Sequence, residues 1–261
     1  QVAEEVTIMP AFERPGMRLS GLLGKPGVSR GTRQDLVTVV NGRPVDSRTM
    51  AFALTESYHT LIPKGRYPLA FVFLEMDPAW VDVNVHPAKR EVRFRDEAKV
   101  RNFLIESVLA VLRARADEGA RLATVLRERL AMVDSALQRI ALRAPERLLA
   151  QRDRLRAAVR ELADGLAVDE GRLAQEIAIL ADRMDVSEEL DRFRSHITAF
   201  HGVLSDTSGE PVGKRLGFLL QEMLREANTT GSKAADAAIL HDVVGVKEEL
   251  ERIREQVENL E

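Results

Sequence analysis

Glu222 and Glu226 stand four residues apart in "GKRLGFLLQEMLREANTTGSKAADA", residues 213–237, so on a helix both carboxylates project from one face and could hold a divalent cation. Arg225, Asn228, Ser232 and Lys233 add polar and cationic groups near the end of the same stretch, and Lys214 lies at its start. Upstream, Glu189 and His196 are seven apart, a spacing that stacks them two turns from each other on one helix face. Carboxylates, an imidazole and scattered cations are the side chains that metal-assisted phosphodiester cleavage uses: a metal to activate water and bear charge, and cations to hold the phosphate. Taken alone, a glutamate pair at this spacing equally suits a solvated helix face. A second candidate lies far away in sequence. In "VDVNVHPAKREVRF", residues 81–94, Lys89 follows a proline between two strands as a cation on a stiff loop, suited to a phosphate or to plain solvation.

The elements that must carry these residues change character along the chain. Of the ten prolines only Pro145 and Pro211 lie beyond residue 88, and the later sequence is rich in Ala, Leu, Arg and Glu. That is a shift from strand and turn chemistry to helix chemistry, and it predicts two domains. Alternation from residue 17 marks a first strand, "DLVTVV" a second, and "NGR" at 41–43 a turn whose Asn and Gly tolerate positive φ. Residues 47–61 read as a helix capped by Ser47, with Met50, Leu54, Tyr58 and Leu61 on one face. "YPLAFVFLEM", "WVDVNV" and "EVRF" read as further strands, and a helix runs from about residue 97 to 113. Beyond residue 115 the pattern is helical throughout. Leu122, Val125, Leu126, Leu130, Val133, Leu137 and Ile140 form a stripe expected to end near Pro145, and Leu148, Leu155, Val159, Leu162 and Leu166 form the next. Val186, Leu190, Phe193, Ile197, Phe200 and Leu204 form another, as do Val243, Val246, Leu250, Ile253 and Val257. Residues 205–214 read as a loop and "TTGSK", 229–233, as a break between helices. The fold class is therefore α+β, a β/α layer followed by an all-α, hairpin-like helical region.

Charge excludes a global attraction to polyanions: 38 basic residues face 41 acidic ones, for a net charge of −3. With no cysteine there are no disulfides and no thiolate metal sites, which fits a reducing cytoplasm. No apolar run approaches membrane-spanning length, so cytoplasmic localisation without membrane association is expected. The opening at Gln1, in mid-pattern, reads as a fragmentary or trimmed start.

Two resemblances sharpen these expectations. "GKPGVSRGTRQDLVTVVNGRPVDSRTM" followed by "VDVNVHPAKREVRFRD" resembles the transducer domain of the MutL family of DNA mismatch repair proteins, over residues 1–112. The resemblance implies a ribosomal-S5-domain-2-like β/α domain. In it Lys89 reaches the γ-phosphate of ATP bound by a neighbouring ATPase domain, and Arg48 contacts DNA backbone. The ATPase motifs themselves are absent from this chain, so ATP is expected as a ligand only where a partner chain supplies that domain.

"RLAQEIAILADRMDVSEELDRFRSHITAFHGVL", "GEPVGKRLGFLLQEMLREANTTGSKAADA" and "VKEELERIREQVENLE" together resemble the C-terminal region of the YicC family of bacterial endoribonucleases, residues 169–261, with a helical connector over 113–168. That resemblance implies RNA as substrate, a divalent cation (manganese or magnesium) and a homo-oligomeric, hexameric ring. Glu189, His196, Glu222, Glu226, Asn228, Ser232, Lys233 and Asp236 fall on the family's polar positions. Glu222, Glu226, His196 and Glu189 are assigned catalytic or metal-binding work, with Glu222 and Glu226 as metal ligands. Lys214, Arg225, Asn228, Ser232 and Lys233 are assigned to phosphate and RNA. Gly217 and Leu224 depart from the pattern, where Asp and Asn are usual. The alternative reading is a non-enzymatic fusion that binds DNA or protein.

Overall fold

The computed structural model describes residues 5–82, 91–163, 169–206 and 212–258. The chain divides into two compact units, the first reaching Ala120 and the second made of Arg121–Asp206 with Pro211–Glu261.

The first unit is built on a five-stranded sheet. Its strands are β1 (Val6–Arg14), β2 (Met17–Gly24), β4 (Leu36–Val40), β5 (Arg43–Val45) and β7 (Ala70–Met76), in the order β1-β2-β7-β4-β5. All neighbours are antiparallel except β4 and β7, and helix α1 (Arg48–Ser57) lies within the connection between those parallel strands. Two short pairs accompany the sheet: β3 (Ser29–Arg30) with β6 (Tyr67–Pro68), and β8 (Val81–Asp82) with β9 (Arg93–Phe94). The strand read as starting at residue 17 is thus the second. β1 escapes the alternation test because Pro10 interrupts it. The pairing with β2 shifts register between Met9 and Phe12, and β1 is an edge strand, where a missing N–H is tolerated. The expected turn at Asn41 and Gly42 forms with both residues at positive φ. The Asn41 side chain also bonds the Met76 backbone in both directions, Nδ2 to O at 3.0 Å and N to Oδ1 at 2.8 Å. Ser47 caps α1 as expected, its Oγ accepting from the Met50 N–H at 3.2 Å.

The core of this unit gathers Leu19, Leu23, Val72 and Leu74 from the sheet, Met50, Ala53 and Leu54 from α1, and Val100, Leu104 and Val108 from the start of helix α2 (Glu97–Leu162). Tyr58 is fully buried beside them and donates its hydroxyl to Gly24 O at 2.8 Å; burial pushes its phenol well above the ordinary value.

The second unit is all helix: the later part of α2, then α3 (Glu170–Met184), α4 (Ser187–Leu204), α5 (Val212–Ala234) and α6 (Ala237–Glu258). The apolar stripes converge as the periodicity requires. Leu126, Leu130, Val133, Leu137 and Ile140 meet Leu190, Phe193, Ile197 and Phe200 of α4, Leu216, Leu220 and Met223 of α5, and Val243, Val246, Leu250 and Ile253 of α6 in one core. Several expected boundaries move: the helix expected to end near residue 113 continues as α2 to Leu162, and α5 begins at Val212, inside the expected loop 205–214. α2 runs straight through Pro145 although proline costs a helix interior about 3 kcal/mol, because apolar packing before it and the buried Arg147 after it hold both sides in place. The break placed at 229–233 occurs instead at 235–236. Ala235 takes φ +44° there, and Asp236 caps α6 by accepting from the Ala238 and Ile239 N–H groups at 3.0 Å. Gly231 is helical, and its missing Cβ lets α6 approach: a Cβ there would sit 3.2 Å from Val243 Cγ1. Among the described residues no helix is long and apolar enough to cross a membrane.

Candidate functional site

The polar candidates of the second unit are placed by the packing of α4 against α5. Lys233 Nζ lies 2.9 Å from Glu189 Oε1, and Arg192 Nε lies 3.8 Å from Glu226 Oε1, so the two helices run antiparallel. His196, half-buried, is one turn beyond Arg192 on α4, and Glu222 is one turn before Glu226 on α5; the same register sets them next along the seam. Glu189 and Glu226 are 3% and 6% exposed, so their charges are answered inside the protein rather than by water.

Lys233 makes a second contact, Nζ to Asp185 O at 3.0 Å, in the link between α3 and α4. The Asp185 carboxylate accepts from the Ser187 hydroxyl at 2.6 Å and its N–H at 2.9 Å. These bonds, hydroxyl first, hold that carboxyl below the usual carboxylate range, with Lys233 adding to the effect.

The expected site residues therefore separate into two groups. Glu189, Glu226 and Lys233 come together, with His196 and Glu222 farther along the same seam. Arg225, Asn228 and Ser232 lie exposed on an adjoining stripe of α5, where Arg225 Nη1 stands 3.8 Å from Glu222 Oε2 and Ser232 donates to Thr229 O at 2.8 Å. Lys214 is exposed in the first turn of α5, far down the helix from Lys233. In the first unit Arg48 is exposed at the start of α1, and Lys89 falls within 83–90, outside the described residues.

For a divalent ion the fit is poor within one chain. The two most buried carboxylates already face Lys233 and Arg192, and no group of three His, Asp or Glu side chains suited to a metal ion forms among the described residues. One buried oxygen, Glu189 Oε2, has no hydrogen-bond partner among the described residues.

Two residues of this region escape a spacing search for chemistry. Arg192 sits between Glu189 and His196 on their shared face, at positions i, i+3 and i+7, and that coincidence is its signal. Arg147 is subtler. The buried seam of α2 steps 126, 130, 133, 137, 140, and the next positions in the same rhythm are Ala144 and Arg147. A charge at a seam position is the signal, and Arg147 is 5% exposed.

Comparison with known proteins divides the chain in the same sense. Residues 1–113 match the family described as DNA mismatch repair protein, C-terminal domain, and residues 140–261 match endoribonuclease YicC-like, C-terminal. The first part is 63% identical over 117 residues to the DNA mismatch repair protein MutL of Opitutus terrae, covering 45% of this chain and 18% of that one. MutL of Rhizobium meliloti is 44% identical over 108 residues, covering 41% and 18%. The probable endoribonuclease YicC of Clostridioides difficile is 40% identical over 164 residues, 61% of this chain and 55% of that one. The chain thus spans about half the length of the YicC relative and under a fifth of the MutL relatives.

Proposed function

We propose that the helical unit is an RNA-cleaving segment of YicC type, joined in one chain to a mismatch-repair segment of MutL type. The observation that carries the reading is the α4–α5 seam. Within the stretch that matches the YicC-like family, Lys233 pairs with the buried Glu189; Arg192, half exposed and 2.8 Å from Glu188, also faces the buried Glu226 at 3.8 Å; and His196 and Glu222 continue the same line. Cleaving a phosphodiester requires a group to take a proton from the attacking oxygen, a group to return one to the leaving oxygen, and cations where charge builds on the phosphoryl oxygens. An imidazole is the side chain best suited to exchange protons near neutral pH, which gives His196 that role. Arg225, Lys214, Asn228 and Ser232, all exposed on α5, supply donors for the RNA backbone. Glu226 and Glu189 keep Arg192 and Lys233 aimed along the seam. The divalent ion and the ring-shaped homo-oligomer expected from the sequence belong to this proposal as conditions to be tested. In the mismatch-repair segment Arg48 is the proposed DNA contact, and ATP enters only through a partner chain.

A specific observation favours a second reading. Because each buried carboxylate already faces a cation, Lys233 at 2.9 Å from Glu189 and Arg192 at 3.8 Å from Glu226, and no three-donor cluster forms among the described residues, the seam also suits purely structural ion pairs in a non-enzymatic, nucleic-acid-binding fusion. The two readings separate in one experiment. An end-labelled, partly structured RNA is incubated with the purified chain in manganese, magnesium or chelator, beside Glu226→Gln and Arg48→Glu variants whose helicity is verified by circular dichroism. Cleavage lost in Glu226→Gln and kept in Arg48→Glu supports the enzyme. No cleavage in any lane, with DNA affinity lost only in Arg48→Glu, supports the binding fusion. Light scattering on the same samples tests the oligomer.

A further inference from the structure

The ends of α3 and α5 are held by one side chain that neither similarity assigns. Arg147 Nη1 donates to Lys233 O at 3.0 Å and also to Ala234 O, and Nη2 donates to Met184 O. The last carbonyls of a helix lack intrahelical partners and carry its negative dipole end, so a guanidinium bridging two such ends answers both needs at once. Three bonds to three carbonyls on two helices also fix the chain around them. Met184 directly precedes Asp185, whose carbonyl accepts from Lys233 Nζ, and Lys233 itself offers its own carbonyl to Arg147. The carboxylates whose charge acts on the guanidinium are Asp236 and Asp185, and each is hydrogen-bonded elsewhere: Asp236 by the cap of α6 and by Arg143 Nη2 at 3.2 Å, Asp185 by Ser187.

We infer that Arg147 is a positioning residue of the α4–α5 site: by clamping the carbonyls of Met184, Lys233 and Ala234 it sets where the Lys233 ammonium meets Glu189. The inference rests on the reading of this unit as RNA-cleaving. The clamp depends on a planar fork whose two terminal nitrogens reach separate acceptors, Nε having none among the described residues, and the single ammonium of lysine cannot reproduce it. Arg147→Lys keeps the charge and loses the bridge. Lys233 then pivots away from Asp185 O and Glu189, and a displacement of about 1 Å in such a group lowers turnover by up to about 100-fold.

The test uses the full chain with Arg147→Lys, Arg147→Met and, as a control from the same helix, Arg139→Lys, which changes an exposed pair with Asp242. Two readouts are taken. Acetylation of each lysine by a water-soluble ester, followed by peptide mass spectrometry, reports the Lys233 amine whether or not RNA is cleaved. Steady-state RNA cleavage separates kcat from KM. The expected result is faster acetylation at Lys233 but not at Lys214 or Lys247 in both Arg147 variants, with kcat reduced, KM unchanged and no rescue by lysine, while Arg139→Lys matches wild type. Unchanged Lys233 acetylation overturns the inference, as does faster acetylation at all three lysines, which reports loosening of the whole unit. Exposed Lys233 with unaltered kcat also overturns it. A wild-type chain that cleaves no RNA removes the functional reading beneath the inference, and the acetylation pattern distinguishes that failure from failure of the clamp.

Discussion

Replacing Lys233 by methionine tests whether the seam between α4 and α5 is an internal ion pair or a surface one. The Glu189 side chain is 4% exposed and that of Lys233 is 30% exposed, so the two ends of the pair are unequal. Without the ammonium, neither oxygen of Glu189 keeps a hydrogen-bond donor among the described residues, since Oε2 already has none. Stranding a buried charge costs about 3–5 kcal/mol, and the partial access of water beside Lys233 argues for about 3. Glu189→Gln leaves a cation that reaches solvent and keeps its bond to Asp185 O, so about 1 kcal/mol is expected there. The double variant removes the stranded charge and recovers about 2 kcal/mol relative to the sum of the singles. The measurement is urea unfolding followed by ellipticity at a helix-sensitive wavelength, with thermal melts in parallel. For a unit of this size the Lys233→Met melt falls by about 6–12 °C. A loss below about 1 kcal/mol for Lys233→Met, or additivity in the double variant, refutes the view that Glu189 depends on this lysine.

Further expectations follow from single positions. Asp236→Ala removes the cap of α6 and costs about 1 kcal/mol, whereas Asp236→Asn retains most of it, as read from the same melts. The Ile239 N–H, and after it Arg143, hold the Asp236 carboxyl below its ordinary value. Its contribution is therefore complete above the unfolded-state value near about pH 4 and is lost as pH falls through the lower folded-state value; the Asn variant flattens that acid limb. Gly21→Ala places a Cβ onto the Phe71 carbonyl oxygen of the neighbouring strand, where backbone must yield, and lowers stability of the first unit by about 2 kcal/mol or more, measured by the emission of the single tryptophan, Trp80. Lys99 Nζ lies 4.4 Å from the Trp80 ring centre, so Lys99→Gln shifts that emission and costs about 0.5–1 kcal/mol. Arg225→Glu reduces the salt slope of RNA binding by about 1 and changes stability by less than about 0.5 kcal/mol, as filter binding over a salt series reports.

How much of this is legible in the sequence depends on whether a single periodicity governs. Leu126 through Ile140, Leu190 through Phe200 and Val243 through Val257 repeat at threes and fours and lie in the core, whereas Val125 stays 38% exposed and Leu162, in the stripe read beyond Pro145, 85% exposed. Ser47, Asn41 and Gly42 act through local chemistry alone, so they also read correctly. Misreadings occur where tertiary packing outweighs a local rule. Pro10 hides β1 because an edge strand with a shifted register needs no N–H at that point, and Pro145 does not end α2 because contacts on both sides hold the helix. "TTGSK" stays helical because Gly231 serves close packing, and Thr229 and Thr230 turn their hydroxyls back to the carbonyls of Arg225 and Glu226. Arg147 is hard to read from sequence because its value lies in three carbonyls that no sequence spacing brings together.

The polar cluster of α5 looks single in sequence and is double in space. A helix advances about 100° per residue, so Glu222, Glu226 and Lys233 share one stripe while Arg225, Asn228 and Ser232 share the next. Packing gives the two stripes different work. The first faces α4, where Glu226 meets Arg192 and Lys233 meets Glu189, and its charges are matched before any ligand arrives. The second faces solvent, so its donors can reach a phosphate backbone without breaking an ion pair between α4 and α5. Substitutions on the exposed stripe should therefore change affinity and its salt dependence, and those in the seam should change stability and turnover. A ligand that did engage the seam would have to displace Lys233 from Glu189 or Arg192 from Glu226. That exchange trades one internal ion pair for another interaction of similar kind, so it is set by small differences, and Arg147, which fixes the backbone of Lys233, is placed to tip them.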